Sequence, residues 1–374
     1  MREGAEVTVP STPSASAPVF VATFAGLLVL IVVLLFLDIA LARIDRNEST
    51  MHAVQLYQEG RTLLAGGDAH EASDRFASAL AIERNNVPYA LGLTEAMMRD
   101  GRNEDAEQTL ADVLDRAAND GAVNLLMARL LERTGRADDA TVYFHRAIFG
   151  RWGADSAQRR TEARFELVDL LARRKDGGAM LAELLPLQAT LPDNPAVRRR
   201  LAHLFLQAGS PRRAMDILRE FLVRDTKDAD AYVGMAEGAL ALGKFFTARA
   251  DFAEAARLQP DDPGIAARLA LADTVLMLDP GARRLDEAER GKRARALLAR
   301  ALAERQRCAP SSSLETAMDS AQARLVAPPA SATAERTDAT TRLATSIWSA
   351  RPSRCAATFV PDDVLATLFR TMEP

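Results

Sequence analysis

The chain has little of what most enzymes and metalloproteins are made from. Two cysteines, Cys308 and Cys355, occur in 374 residues, and four histidines (His52, His70, His145 and His203) lie far apart. There is no Cys-x-x-Cys pair and no Cys/His cluster at ligand spacing, so no metal is expected. No GxSxG, no HExxH and no glycine-rich dinucleotide loop is present, so no catalytic residue and no cofactor are expected either. The stretch Gly238 to Lys244 (GALALGK) has the GxxxxGK form of a phosphate loop. A working loop needs a strand before it and a Ser or Thr after the lysine, and here Phe245 follows. Aromatic residues are 5% of the chain, and alternating Val/Ile/Tyr/Thr runs are nearly missing past the first forty residues, which argues against β-structure. A formal net charge of −4 argues against a general nucleic-acid binder.

What is abundant is alanine, leucine and arginine, all good helix formers, so an all-α chain is expected. One long apolar run exists, Val19 to Leu37, nineteen residues without a charge. As a helix it would be roughly 28 Å long, close to the hydrocarbon thickness of a bilayer. A transmembrane anchor over 19–42, behind a leader over 1–18, is the expectation. A cleaved signal peptide is the alternative, since Ala40-Leu41-Ala42 has the small-x-small form, but Glu3 and Glu6 in the leader oppose it. Arg43 and Arg46 against Arg2 place the rest of the chain in the cytoplasm. The cysteines point to the opposite side.

From residue 53 the sequence repeats every 34 residues. The units run 53–86, 87–120 and 121–154, then, after six extra residues, 161–194, 195–228 and 229–262, with a partial unit over 263–307. Gly67, Gly101, Gly135, Gly209 and Gly243 share the fifteenth place; Lys175 holds it in the fourth unit. Phe76, Leu110, Phe144, Leu184, Leu218 and Phe252 share the twenty-fourth. Gly60, Ala128, Ala202 and Ala236 stand at the eighth, and Ala72, Ala106, Ala140, Ala214 and Ala248 at the twentieth.

These residues resemble the tetratricopeptide repeat. The resemblance implies an all-α superhelical solenoid of antiparallel helix pairs over 51–307, preceded by the transmembrane helix. Small residues at places eight and twenty let two backbones approach, and glycine at fifteen ends the first helix in the left-handed conformation. The residue at twenty-four fills the space between successive pairs. The helix over Arg293 to Arg307 would close the stack.

The resemblance also implies a peptide-binding groove lined by the first helix of each unit, hence a protein or peptide partner. On that face Arg61, Arg99, Arg129, Arg133, Arg173, Arg199 and His203 are the candidate binding residues. The guanidinium fork suits an acidic or carboxylate-ended segment, while Glu95, Glu132 and Asp169 are placed to pair with some of the arginines. The lysine/asparagine clamp of chaperone-binding members is not reproduced. In layout, an anchor followed by repeats is similar to bacterial assembly factors of the cell envelope. The expected function is therefore a membrane-tethered scaffold or assembly factor, with an accessory subunit of a larger membrane complex as the alternative. Oligomeric state is not specified by these residues.

Residues 308–374 read as a linker with short helices. Thr337 to Ala350 carries Leu343, Ile347 and Trp348, and Pro361-Asp362-Asp363 opens a last helix with Val364, Leu365, Leu368 and Phe369 on one side. A Cys308–Cys355 disulfide would staple this tail and requires an oxidising compartment. The disulfide and an extracytoplasmic location go together; two free thiols and a cytoplasmic location are the alternative.

Overall fold

Each period of a two-helix repeat has to start two helices and turn the chain twice, and the sequence supplies those signals at fixed places. The last residue of five units is Asn86, Asp120, Asn194, Asp228 or Asp262. Each accepts a hydrogen bond from a backbone N–H in the first turn of the next helix, as Asp120 does from Ala122 and Val123 at 2.9 and 3.1 Å. Such a cap contributes about 1 kcal/mol. The fifteenth-place glycines all have φ between +68° and +96°, and Lys175 takes the same conformation at +57°. A side chain there costs about 1 kcal/mol or more.

The structure is a computed structural model that describes residues 17–191, 194–307, 315–327, 333–349 and 362–372. Among these residues there is no strand, only an isolated bridge between Asp120 and Arg151. The chain divides into two compact units, Met1–Ala163 and Arg164–Pro374. Both cysteines, the leader over 1–16 and the segment 350–361 lie outside the described residues.

The first unit holds α1 (Ala17–Gly66), α2 (Ala69–Ile82), α3 (Val87–Arg99), α4 (Asn103–Ala117), α5 (Gly121–Arg133), α6 (Ala137–Phe149) and the start of α7 (Ser156–Arg173). The pairs α1/α2, α3/α4 and α5/α6 are hairpins, each packed on the next. Phe76 is fully buried, and a Cβ added at Gly60 or Gly92 would stand 2.9 or 2.8 Å from its ring. The aromatic ring is thus clamped between glycines of two successive first helices. Phe144 and Leu110 occupy the same buried place in the neighbouring hairpins.

The residues that interrupt the period are largely absorbed into α7, which starts at Ser156. Ahead of it the chain folds back: Gly121 donates to the Arg151 carbonyl at 2.8 Å and Arg151 to that of Asn119 at 2.7 Å. Trp152 donates from its indole nitrogen to the Ala147 carbonyl and lies where a Gly121 side chain would be, 2.3 Å from an added Cβ.

The second unit continues with the rest of α7, then α8 (Gly177–Thr190), α9 (Pro195–Gln207), α10 (Pro211–Arg224), α11 (Ala229–Ala241), α12 (Phe245–Leu258) and α13 (Pro263–Leu278). Leu184 and Phe252 are fully buried and Leu218 nearly so, all at the twenty-fourth place. Past α13 the periodic packing ends. The closing helix expected over 293–307 is part of α14 (Glu287–Arg307), whose main partner is α16 (Ala334–Ser349) rather than α13. With α15 (Glu315–Val326) and α17 (Asp363–Met372) these form a terminal layer around Leu297, Leu298, Ile347, Trp348, Leu365, Leu368 and Phe369. Trp348 stacks on Phe369 at 5.3 Å.

Candidate functional site

The first helices α9, α11 and α13 each present one side to a cleft of about 250 Å³ in the second unit. Leu206, Leu218, Val233 and Gly234 make its apolar part. Arg199, His203, Asp230, Glu237 and Arg268 supply charge and hydrogen-bonding groups. Gly234 belongs here for a packing reason: a Cβ on it would stand 2.6 Å from Leu218. Its absence lets α11 close on α10 and leaves room above the backbone.

Arg199 is fixed from both sides. It pairs with Asp228 at 2.7 Å and lies over the Phe221 ring, 4.8 Å from its centroid. Asp228, its side chain largely buried, caps α11 and accepts from the Ala231 N–H at 3.0 Å. Burial pushes the Asp228 carboxyl up, but the Arg199 hydrogen bond and the backbone donors of Ala231 and Asp230 outweigh it and hold the acid below the usual carboxylate range. The Asp228 hydrogen bond in turn raises the Arg199 guanidinium. Across the cleft Arg268 pairs with Glu237 at 3.2 Å, and a His203 ring nitrogen sits 3.0 Å from the Gln207 amide. Both signs of charge therefore face the space, each arginine already holding an acid.

The sequence-predicted residues divide among several places. Arg199 and His203 line this cleft together. Arg173 lies elsewhere in the second unit, beside Lys175 and Gln207 in a cleft at the hairpin turns. Asp169 pairs with Arg200 at 2.6 Å, not with Arg173. In the first unit Arg61, Arg99, Arg129 and Arg133 are all exposed. Arg99 pairs with Glu95 at 2.7 Å and also donates to the Leu64 carbonyl at 3.1 Å, tying α3 to the last turn of α1. Arg61 and Arg133 make no ion pair among the described residues. Reasoning by place in the repeat missed Arg268 and Asp230. They stand at the sixth and second places, and only the spatial convergence of α9, α11 and α13 brings them to His203.

The GxxxxGK stretch is accounted for by packing. Gly238 faces Met215, 2.6 Å from an added Cβ, and Gly243 is the left-handed turn residue at φ +68°. It sits at the end of one helix and the start of another, without a strand before it. Among the described residues, no group of three or more His, Cys, Asp or Glu is placed to hold a metal.

Hairpins of this length, with capping acids at the period boundary, small residues where helices cross and an aliphatic or aromatic plug between pairs, define a tetratricopeptide-type repeat fold. Residues 63–130 match the tetratricopeptide repeat family. No curated protein matches the chain in sequence. Among solved structures, Pseudomonas aeruginosa pilF is 16% identical over 60% of this chain and 99% of its own, with a TM-score of 0.41. The TPR2AB domain of yeast Sti1 in its pHSP90 complex is 16% identical over 78% and 98%, at 0.29. The APC/C hetero-tetramer Cut9–Hcn1 gives 16% over 61% of this chain, at 0.37, and the match spans 44% of that chain.

Proposed function

We propose that the protein is a membrane-tethered interaction scaffold, an assembly factor rather than an enzyme, that holds a segment of another protein against its first-helix faces. The observation that carries this is the cleft of α9, α11 and α13, with an apolar floor and a rim of Arg199, His203, Asp230, Glu237 and Arg268. Apolar floors give affinity to an extended or helical segment, and charged rims fix its direction. The anchor is α1, the one helix among the described residues long and apolar enough to cross a membrane. A retained span fits its unbroken passage into the first hairpin, and the repeats then lie in the extracytoplasmic space, as the disulfide reading of Cys308 and Cys355 requires.

The acidic-partner expectation rests best on the first unit, where Arg61 and Arg133 are exposed and unpaired among the described residues. The second-unit cleft, with its internal ion pairs, suits a segment carrying both signs. The test is a peptide array of acidic, basic and mixed segments probed with the full-length chain in detergent. Binding of acidic or mixed segments that falls about tenfold in Arg61→Glu/Arg133→Glu or in Arg268→Glu, a loss of about 1.4 kcal/mol, supports the reading. Binding indifferent to all three substitutions contradicts it.

A further inference from the structure

Helix α1 does not stop at the end of its apolar run. It continues without a break from Ala17 to Gly66, so the span, the residues after it and the first helix of the first hairpin are one rod. Residues 38–52, between the uncharged run and the first buried repeat residue Ala53, form a helical stalk of roughly 22 Å. Nothing in the first unit covers it: residues 41–48 are all exposed.

The exposed face has a pattern. Leu30, Leu37, Ile44 and Met51 recur every seven residues, and Val33, Asn47 and Val54 stand three after Leu30, Ile44 and Met51. All seven are exposed, Met51 by 72% and Ile44 by 56%. This is the a and d seam of a coiled coil, running out of the apolar span and onto the repeat without changing register. The repeats hang from the opposite side. Ala53, Leu56, Gly60 and Leu64, buried in the first hairpin, occupy the c, f, c and g places of the same frame. The seam is left clear by the way the first unit packs.

We infer that α1 pairs in parallel with α1 of a second copy of this chain, along a seam of Leu37, Ile44, Asn47, Met51 and Val54. The occupant is a second copy because the flanking charges complement themselves. In this frame Arg43 is a g residue and Glu48 the e residue five later, the spacing at which g of one helix meets e of a parallel partner. Neither makes an ion pair within its own chain among the described residues. Two-fold symmetry gives the pair twice. Asn47 inside an otherwise apolar stalk seam places an amide against its symmetry mate, which fixes register at some cost in stability. So short a seam does not hold two soluble chains together, but anchoring both in one bilayer orients them in parallel and raises their effective concentration. The inference rests on the retained-anchor reading of α1.

The experiment uses the full-length chain in membranes, with Cys308→Ser and Cys355→Ser, and one cysteine introduced at Ile44, Met51 or Arg46. Arg46 is a c residue on the side away from the seam. Mild oxidation should give at least fivefold more disulfide-linked homodimer from Ile44→Cys and Met51→Cys than from Arg46→Cys. Arg43→Glu should cut the Met51→Cys dimer severalfold, and Arg43→Glu with Glu48→Arg should restore it. Equal cross-linking at the three positions, or none, with the full-length chain in the membrane fraction overturns the pairing. So does a cross-link from the seam to a different protein. A chain shortened by about forty residues and recovered as soluble protein would instead overturn the anchor itself, an outcome visible on the same gel.

Discussion

The hairpins from α2 to α13 and the terminal layer α14–α17 are both helical and both bury apolar side chains, yet they are held in different ways. In the hairpins the recurring contacts lie within a repeat or between successive repeats: an Asn or Asp cap at the period boundary, a left-handed residue at the turn, a plug such as Phe252 against the next pair. In the terminal layer the polar contacts do not repeat, and those of Asp362 join residues about sixty apart in sequence. Arg300 pairs with Asp362 at 2.7 Å, and the Asp362 N–H donates to Glu304 at 2.8 Å. Arg295 donates to the Arg324 and Leu325 carbonyls at 2.8 Å, closing the end of α15, and Arg293 does the same for α13 through the Leu276 carbonyl at 2.7 Å. A nearest-neighbour stack spreads its stability over repeats. A layer held by long-range polar clips is expected to detach as a piece.

The sharpest way to break that contrast is to cut the same amount of apolar volume from each region. Phe252→Ala empties a fully buried place inside the hairpins and should cost about 3–5 kcal/mol of global stability, read as a lower denaturant midpoint. Phe369→Ala, equally buried, should accelerate hydrogen exchange in α16 and α17 while the hairpin amides stay protected. If exchange rises everywhere in both variants, the two regions are one cooperative body and the contrast fails.

Next in size is the clip at Asp362. Its side chain caps α17 through the Val364 and Leu365 N–H groups and pairs with Arg300. Burial pushes this carboxyl up, but Arg300 and the backbone donors prevail and its folded pKa is lowered. The stabilisation is therefore present above the ordinary aspartate range and is lost as pH falls through the depressed folded value. Asp362→Ala should loosen α17 by about 1–3 kcal/mol at neutral pH and remove the acid-dependent part of its exchange, measured from pH 7 down to pH 3.

Within the hairpins, Asp251 has a buried carboxylate oxygen without a hydrogen-bond partner, and burial raises its pKa to about 6. Here the sign is opposite. Ionised Asp251 lowers stability above pH 6, and the penalty fades as pH drops below that value. Asp251→Asn should stabilise the second unit at pH 7.5 by roughly 1–2 kcal/mol, discounted for its partial exposure, and by about half as much at pH 5. Thermal unfolding at the two pH values decides it. The smallest effect expected is at the odd turn: Lys175→Gly should relieve the left-handed strain and add about 0.5–1 kcal/mol, measured by chemical denaturation.

The same contrast explains which features can be read from sequence. Turn glycines, boundary acids and twenty-fourth-place plugs are short-range and periodic, so the hairpins from 53 to 278 and the anomalous Lys175 turn are legible in the amino-acid order alone. The apolar face of α17 is legible too, because Val364, Leu365, Leu368 and Phe369 have helical spacing. Its docking is not, because no periodicity links Arg300 to Asp362. The site is only half legible. Arg199 and His203 follow from their place in the repeat, but their neighbours Arg268 and Asp230 come from other places, and the pairing of Arg199 with Asp228 depends on where a capping acid of the next unit falls.

The most direct test of the scaffold reading is site-specific photo-cross-linking from the full-length chain in intact cells. A photoreactive residue at His203 or Val233, in the cleft, is compared with one at Arg257, exposed on the second helix α12. The expected result is the same discrete protein adduct from both cleft positions, diminished by Arg268→Glu, and none from Arg257. Adducts from Arg257 with none from the cleft would contradict it.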